Sequence, residues 1–186
     1  LFIAKKDNKY GIIDSKGNIK VYIEYDQIGI DNTKFEKNNI KNKYLLDNGM
    51  IPAKKDKYWG AFDKNGKTVL NFEYDSFGYT ATSNREAINL LIIPDYNLMV
   101  VCQNKKYALV SSTGDMVIRP VLDDAYMTIS SGKKYYYMNV GDRKIDIIEF
   151  LDEQSPNITK NSSNETNNNT TSENKSEENT STETNN

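Results

Sequence analysis

The chain has 186 residues, with 24 Lys+Arg, 26 Asp+Glu, no histidine and a formal net charge of −2. The missing imidazoles exclude His-based triads, His metal ligands and His general bases. The charge balance also offers no basic stripe for nucleic acid.

Composition divides the chain near residue 151. All 20 aromatic residues lie at or before Phe150. Residues 1–151 carry 22 Lys+Arg and 19 Asp+Glu, whereas residues 152–186 carry 2 Lys and 7 acids. The second part is nearly all Asn, Thr, Ser and Glu, with Ile158 its one large aliphatic side chain. Such a segment buries too little apolar surface to offset its ordering entropy, so it reads as a disordered tail. It has the character of a flexible spacer, and its Asn-x-Ser/Thr triplets follow from composition alone. No apolar run, Leu90–Pro94 included, is long enough for a membrane span.

Within residues 1–151 the dominant signal is an internal repeat. Ala4–Gly29 aligns with Ala53–Gly78 at an offset of 49, with 11 identities over 26 positions. A weaker copy occupies 101–126 at a further offset of 48. In chain order, each copy predicts a short strand (Ala53–Lys55), a polar turn (Asp56-Lys57) and a second strand carrying Trp59 and Ala61 on one face. Next come a four-residue turn, Asp63-Lys64-Asn65-Gly66, and a third strand from Lys67 to Phe72. The Asp accepts backbone N–H bonds and the Gly takes positive φ, as in a type I turn with a G1 bulge. Copy one has Asp14 and Gly17 at these places, and copy three has Ser111 and Gly114. Gly60, in mid-strand beside Trp59, predicts close packing of a large ring or another backbone.

Between copies, Asp31–Lys43 reads as loop or edge, and Tyr44–Ala53 as strand, turn (Asp47-Asn48-Gly49) and strand. Ser83–Ile92 carries a capping-box spacing, Ser83 to Glu86, for one helical turn. Lys134–Val140 and Lys144–Phe150 flank Gly141-Asp142 and predict a closing hairpin over 134–150. The fold class is therefore all-β: antiparallel hairpin repeats in an open array or a partial propeller-like arrangement, with a disordered C-terminal tail.

Copy two, through Trp59, Gly60, Asp63, Gly66, Tyr74 and Asp75, resembles the WG-repeat family of bacterial β-rich proteins. Copy one matches with Tyr10 in place of Trp. Copy three departs at Tyr107, Ala108, Ser111 and Leu122, so its membership rests on register. The resemblance covers residues 1–150. It implies a β-rich protein, often secreted or envelope-associated, with no common activity.

Several chemistries are open to the residues present. Asp14, Asp63 and the pair Asp123-Asp124 could supply carboxylates for glycoside hydrolysis, but Asp14 and Asp63 occupy a turn position that already needs an acceptor. The same turn offers too few hard oxygens for calcium. Cys102, in an alternating strand with no imidazole to pair with, reads as a small buried hydrophobe. The aromatics Tyr10, Trp59 and Tyr107 recur in register, either as stacked core or as a platform for sugars or peptides. Tyr135 and Tyr136, beside Lys133-Lys134, could meet anionic polymers.

These features predict a non-catalytic repeat module contacting an unknown protein or a cell-wall polymer. They predict no cofactor, no nucleic-acid partner and no membrane span in this fragment. The expected location is extracellular or the cell envelope. A purely architectural spacer carrying another domain is the alternative, and a carboxylate-dependent hydrolase a weaker one. Exposure of the in-register aromatics would separate binding from architecture.

Overall fold

The computed structural model describes residues 1–35, 40–82 and 86–154. Its strands form four antiparallel sheets in chain order. The first holds β1 (Phe2–Lys6), β2 (Lys9–Ile13) and β3 (Ile19–Tyr25). The second holds β4 (Gln27–Ile28), β5 (Ile51–Lys55), β6 (Tyr58–Phe62) and β7 (Thr68–Tyr74). The third holds β8 (Ser76–Phe77), β9 (Ile92–Ile93), β10 (Leu98–Gln103), β11 (Lys106–Val110) and β12 (Met116–Leu122). The fourth holds β13 (Asp124–Ser130), β14 (Lys133–Val140) and β15 (Arg143–Asp146), followed by helix α1 (Ile147–Gln154).

Each repeat builds its sheet by the same local rules. A two-residue loop joins the first two strands, with left-handed residues at Asp7 and Asn8, at Asp56, and at Asn104 and Lys105. The second connection is the turn with a G1 bulge expected from the sequence. Gly17 N donates to Asp14 O at 3.1 Å, and Asp14 N to Asn18 O at 2.9 Å. Asp14 Oδ1 accepts from Lys16 N and Asn18 N, each at 2.9 Å. Asp63 Oδ1 accepts from Asn65 N at 2.8 Å and Lys67 N at 2.9 Å. Ser111 Oγ fills the same place more weakly, at 3.3 Å from Thr113 N and 3.0 Å from Asp115 N.

The third strand of every repeat is bulged. Trp59 opposes Tyr74 and Ala61 opposes Leu70, so four steps on β7 face two on β6; Tyr10/Tyr25 with Ile12/Val21 and Tyr107/Leu122 with Leu109/Ile118 repeat the pattern. The bulge presses the third strand onto the middle of the second. An added Cβ at Gly60 would lie 2.8 Å from Leu70 O and 2.9 Å from the Phe72 ring. This is the close approach that the mid-strand glycine implied.

The bulged strand then crosses to the next sheet. β3 leads through Asp26 into β4, which pairs with β5; β7 leads through Asp75 into β8, which pairs with β10; β12 leads through Asp123 into β13, which pairs with β14. The acid at each crossing clamps the following hairpin. Asp26 Oδ2 accepts from Asp56 N at 2.6 Å, Asp75 Oδ2 from Lys105 N at 3.2 Å, and Asp123 Oδ2 from Gly141 N at 2.7 Å. Lys9 and Lys106 pair with Asp26 and Asp123 from within their own repeats.

Sheets therefore stack through apolar layers. Ile12, Val21 and Tyr25 of the first meet Ile28, Ile51, Ala53 and Phe62 of the second. Ala61, Leu70, Tyr74 and Phe77 meet Met99, Val101 and Val110. Leu109, Ile118 and Leu122 meet Tyr136, Met138, Ile147 and Leu151. The turn glycines fit this stacking. A Cβ on Gly66 would lie 2.5 Å from Lys20 O, and one on Gly114 would collide with Val69 O, while Gly17 has nothing within 4 Å.

Five local expectations are corrected. Tyr44–Leu46 is not a strand: Leu46 N donates to Met50 O and Gly49 N to Leu46 O, a closed turn that buries Leu46 and exposes Tyr44 and Leu45. Of the helical turn expected over Ser83–Ile92, Ser83–Arg85 lie outside the described residues. Residues 86–92 are not helical, because Ile88 bridges Met127 and Leu90 bridges Tyr79. The last strand ends at Asp146 rather than Phe150, because Asp146 Oδ1 accepts from Ile148 N at 2.8 Å and Glu149 N at 3.2 Å and starts α1. That helix includes residues 152–154, which the sequence assigned to the tail; the rest of the tail lies outside the described residues. The third strand of copy two runs Thr68–Tyr74, two residues beyond Phe72.

Two predictions follow from turn and clamp. Gly17→Ala and Gly66→Ala share the left-handed cost of about 1 kcal/mol, but only Gly66→Ala adds a backbone collision. Urea unfolding should show Gly66→Ala at least twice as destabilising. Bonding to Lys9 and then to the Asp56 amide holds the Asp26 carboxyl below its ordinary range; Lys106 and the Gly141 amide do the same for Asp123. A lowered folded-state pKa gives stability that is complete above the unfolded value, about 3.9, and is lost as pH falls below it. Denaturation midpoints should hold from pH 7 to about 5, fall below about 4, and fall less steeply in Asp26→Asn.

Candidate functional site

The repeat places its aromatic position at the start of the bulge, opposite Tyr25, Tyr74 or Leu122 of the crossing strand. Trp59 pairs with Tyr74, and Tyr107 with Leu122. Neither Trp59 nor Tyr107 can sink wholly into a layer, because the crossing strand turns away beside it. Both remain half-buried. Between the second and third sheets they line one cleft of about 500 Å³. Its apolar wall also includes Ile30, Phe35 and Phe77, and its polar groups include Gln27, Ser76 and Thr80.

The ring positions are fixed by packing. Trp59 lies against Phe77 with centroids 5.7 Å apart, and Tyr107 meets Tyr79 edge-on at 5.2 Å. Burial first, then Cys102 and Asp124, raises the Tyr107 hydroxyl above its ordinary pKa, so it stays a neutral donor and acceptor. The loop wall is ordered by Asp31, whose Oδ1 accepts from Thr33 N at 3.1 Å and Thr33 Oγ1 at 2.6 Å. Those bonds, side chain first, lower its carboxyl pKa, so the cleft carries a fixed negative charge near Lys34. Gln27 donates its Nε2 to Gly29 O at 2.9 Å. Apolar rings with a few placed polar groups suit a sugar face or an extended peptide.

The structure separates the other expected residues from this cleft. Tyr10 is half-buried in the first sheet, packed on the first apolar layer with Lys5 Nζ 5.2 Å from its ring centroid. Tyr135 and Tyr136 point to opposite faces of β14, as neighbours on a strand must. Tyr135 is exposed, whereas Tyr136 is 6 % exposed within the third layer. A ring so enclosed cannot serve as a platform, which removes Tyr136 from the surface expected for it. Cys102 is buried, and burial before the charge of Asp75 pushes its thiol up, so it stays protonated and inert.

Sequence reading missed Phe35, Phe77 and the threonines. Phe77 had a signal: it follows the crossing acid at the position that Ile28 holds one repeat earlier. Phe35 lies in the irregular segment between repeats and had no register to reveal it.

Two segments, residues 10–32 and 59–83, match the family model described as the WG containing repeat. The chain carries WG repeats. Each matched segment starts at the half-buried aromatic, follows the bulged strand through its clamp acid and ends beyond the short strand of the next sheet. The WG unit so matched therefore spans two sheets rather than one. Copy three, outside those segments, has the same bulges, the same turn and the same clamp. No curated protein and no solved structure matches the chain.

The two faces of β14 give a direct test. Tyr136→Ala should cost about 3 kcal/mol in denaturant unfolding, as large-to-small core changes do. Tyr135→Ala should stay within about 0.5 kcal/mol of the parent protein.

Proposed function

We propose that this WG-repeat array is a non-catalytic interaction module. Its ligand is an extended peptide or a cell-envelope glycan seated in the cleft between Trp59 and Tyr107. The observation that carries the reading is that two of the three aromatics that recur in register, Trp59 and Tyr107, share one open cleft, half-buried, with polar groups around them. Rings that served the core alone would be enclosed, as Tyr74 is at 3 % exposure. An extracellular or envelope location fits this role and the spacer-like composition of residues 155–186.

Asp14 and Asp63, on which a hydrolase would depend, each hold their own turn amides. A rigid spacer is the second reading, favoured by the clamp that repeats at Asp26, Asp75 and Asp123. Retention on purified bacterial cell wall and on immobilised secreted proteins separates the two. Binding should be saturable, and Trp59→Ala or Tyr107→Ala should weaken it about tenfold or more, as removal of a central aromatic does. No retention on either material would sink the binding reading and leave the spacer.

A further inference from the structure

Every inner sheet of the stack has a face covered by the preceding repeat. In the second sheet that face is Ile51, Ala53 and Phe62, at 4 %, 0 % and 3 % exposure; in the third it is Met99, Val101 and Val110, all at 0 %. The same positions in the first sheet are Phe2, Ala4 and Ile13. Phe2 is 56 % exposed, and Ala4 and Ile13 are only half-buried. At the opposite end of the stack, Ile147 and Leu151 of α1 add to the apolar layer between the third and fourth sheets.

The backbone repeats the contrast. On the second sheet Asp26 N donates to Lys54 O at 2.8 Å and Gly29 N to Pro52 O at 2.7 Å. On the third, Asp75 N donates to Cys102 O and Gly78 N to Val100 O, both at 2.8 Å. The matching carbonyls of the first sheet belong to Lys5 and Ile3, on the edge strand β1, which among the described residues pairs only with β2. The hairpin loop at Asp7-Asn8 corresponds to the loops whose amides donate to the clamp carboxylates. Lys55 meets Glu24 of the preceding repeat at 3.0 Å, and its counterpart Lys6 meets no acid among the described residues. Gly17 is open where Gly66 and Gly114 lie on the preceding strand.

We propose that this face and edge bind the crossing strand of a further WG repeat. That strand is an extended acidic segment of the form Glu-Tyr-Asp-x-Ile/Phe-Gly, and it adds to β1 as β4 adds to β5. Its acid caps the Asp7-Asn8 loop, its Glu meets Lys6, and its aliphatic side chains cover Phe2 and Ile13. Strand addition supplies the affinity through main-chain bonds, and the pockets supply the selectivity. The tail does not fit: residues 155–186 hold no aromatic side chain and Ile158 as their one large aliphatic. A second copy does not offer the strand either, since its own crossing segments already pair with β5, β10 and β14. The inference goes beyond the cleft reading and stands without it.

A synthetic peptide with the sequence of Lys20–Ile30 tests it, by calorimetry and amide NMR on the full chain. One-to-one binding in the micromolar range is expected, with shifts at Ala4, Lys5 and the Asp7-Asn8 loop. A peptide with Asn in place of its Asp should bind about tenfold more weakly, the loss of one charge-assisted bond. Phe2→Asp in the protein should abolish binding without moving the unfolding midpoint. Absence of saturable binding at about 1 mM, or equal binding of a scrambled peptide, overturns the proposal. So do shifts centred on the Trp59 indole, which would seat the peptide in the cleft. A Phe2-dependent dimer without peptide overturns it as well, by making a second copy the occupant.

Discussion

The rest of the structure depends on one carboxylate per repeat, placed where a strand leaves one sheet for the next. Asp26, Asp75 and Asp123 each bond to an amide in the hairpin loop that follows. A strand that passed straight through would stay in its own sheet. A strand that broke without a partner at the break would leave the loop amides beside it, which lie on exposed residues, to water alone and the next hairpin without an anchor. The acid meets that need and sets the register of the next hairpin in the same contact. The layer of Ile, Val and Phe side chains then has only one alignment in which both faces are filled.

The bulge and the glycine beside it serve the same geometry. Two extra residues on the third strand turn it toward the next sheet, and they bring its backbone within reach of Gly11 and Gly60. Copy three shows what happens when the glycine is lost. Ala108 takes its place, and Pro120 stands at the bulge position held by Ile23 and Phe72 in the other copies. The smaller side chain across the ladder accompanies the larger one on it, so the bulge survives a change in sequence.

Much of this was legible from period and turn chemistry. The 49-residue offset, the Asp and Gly of the bulged turn and the mid-strand glycine each have a local cause, and local causes show in sequence. The crossing did not show. Its strands β4 and β8 are two residues long, and the clamp joins residues 30 apart, so neither periodicity nor spacing marks it. Helix α1 was missed for a different reason. Ile147-Ile148 favours a strand, and that preference outweighed the Asp146…Glu149 spacing of a helix start. The cleft was half legible: Trp59 and Tyr107 stood in register, but Phe35 came from a segment with no repeat to compare.

The shared strand also decides how the array answers a pull. Because β3 and β4 are one continuous run of backbone through Asp26, load on the ends passes from sheet to sheet through covalent bonds, while each apolar layer carries only its own share. Stacks joined this way unravel by nearest-neighbour steps. The first sheet, covered on one face, should therefore be the unit that yields first.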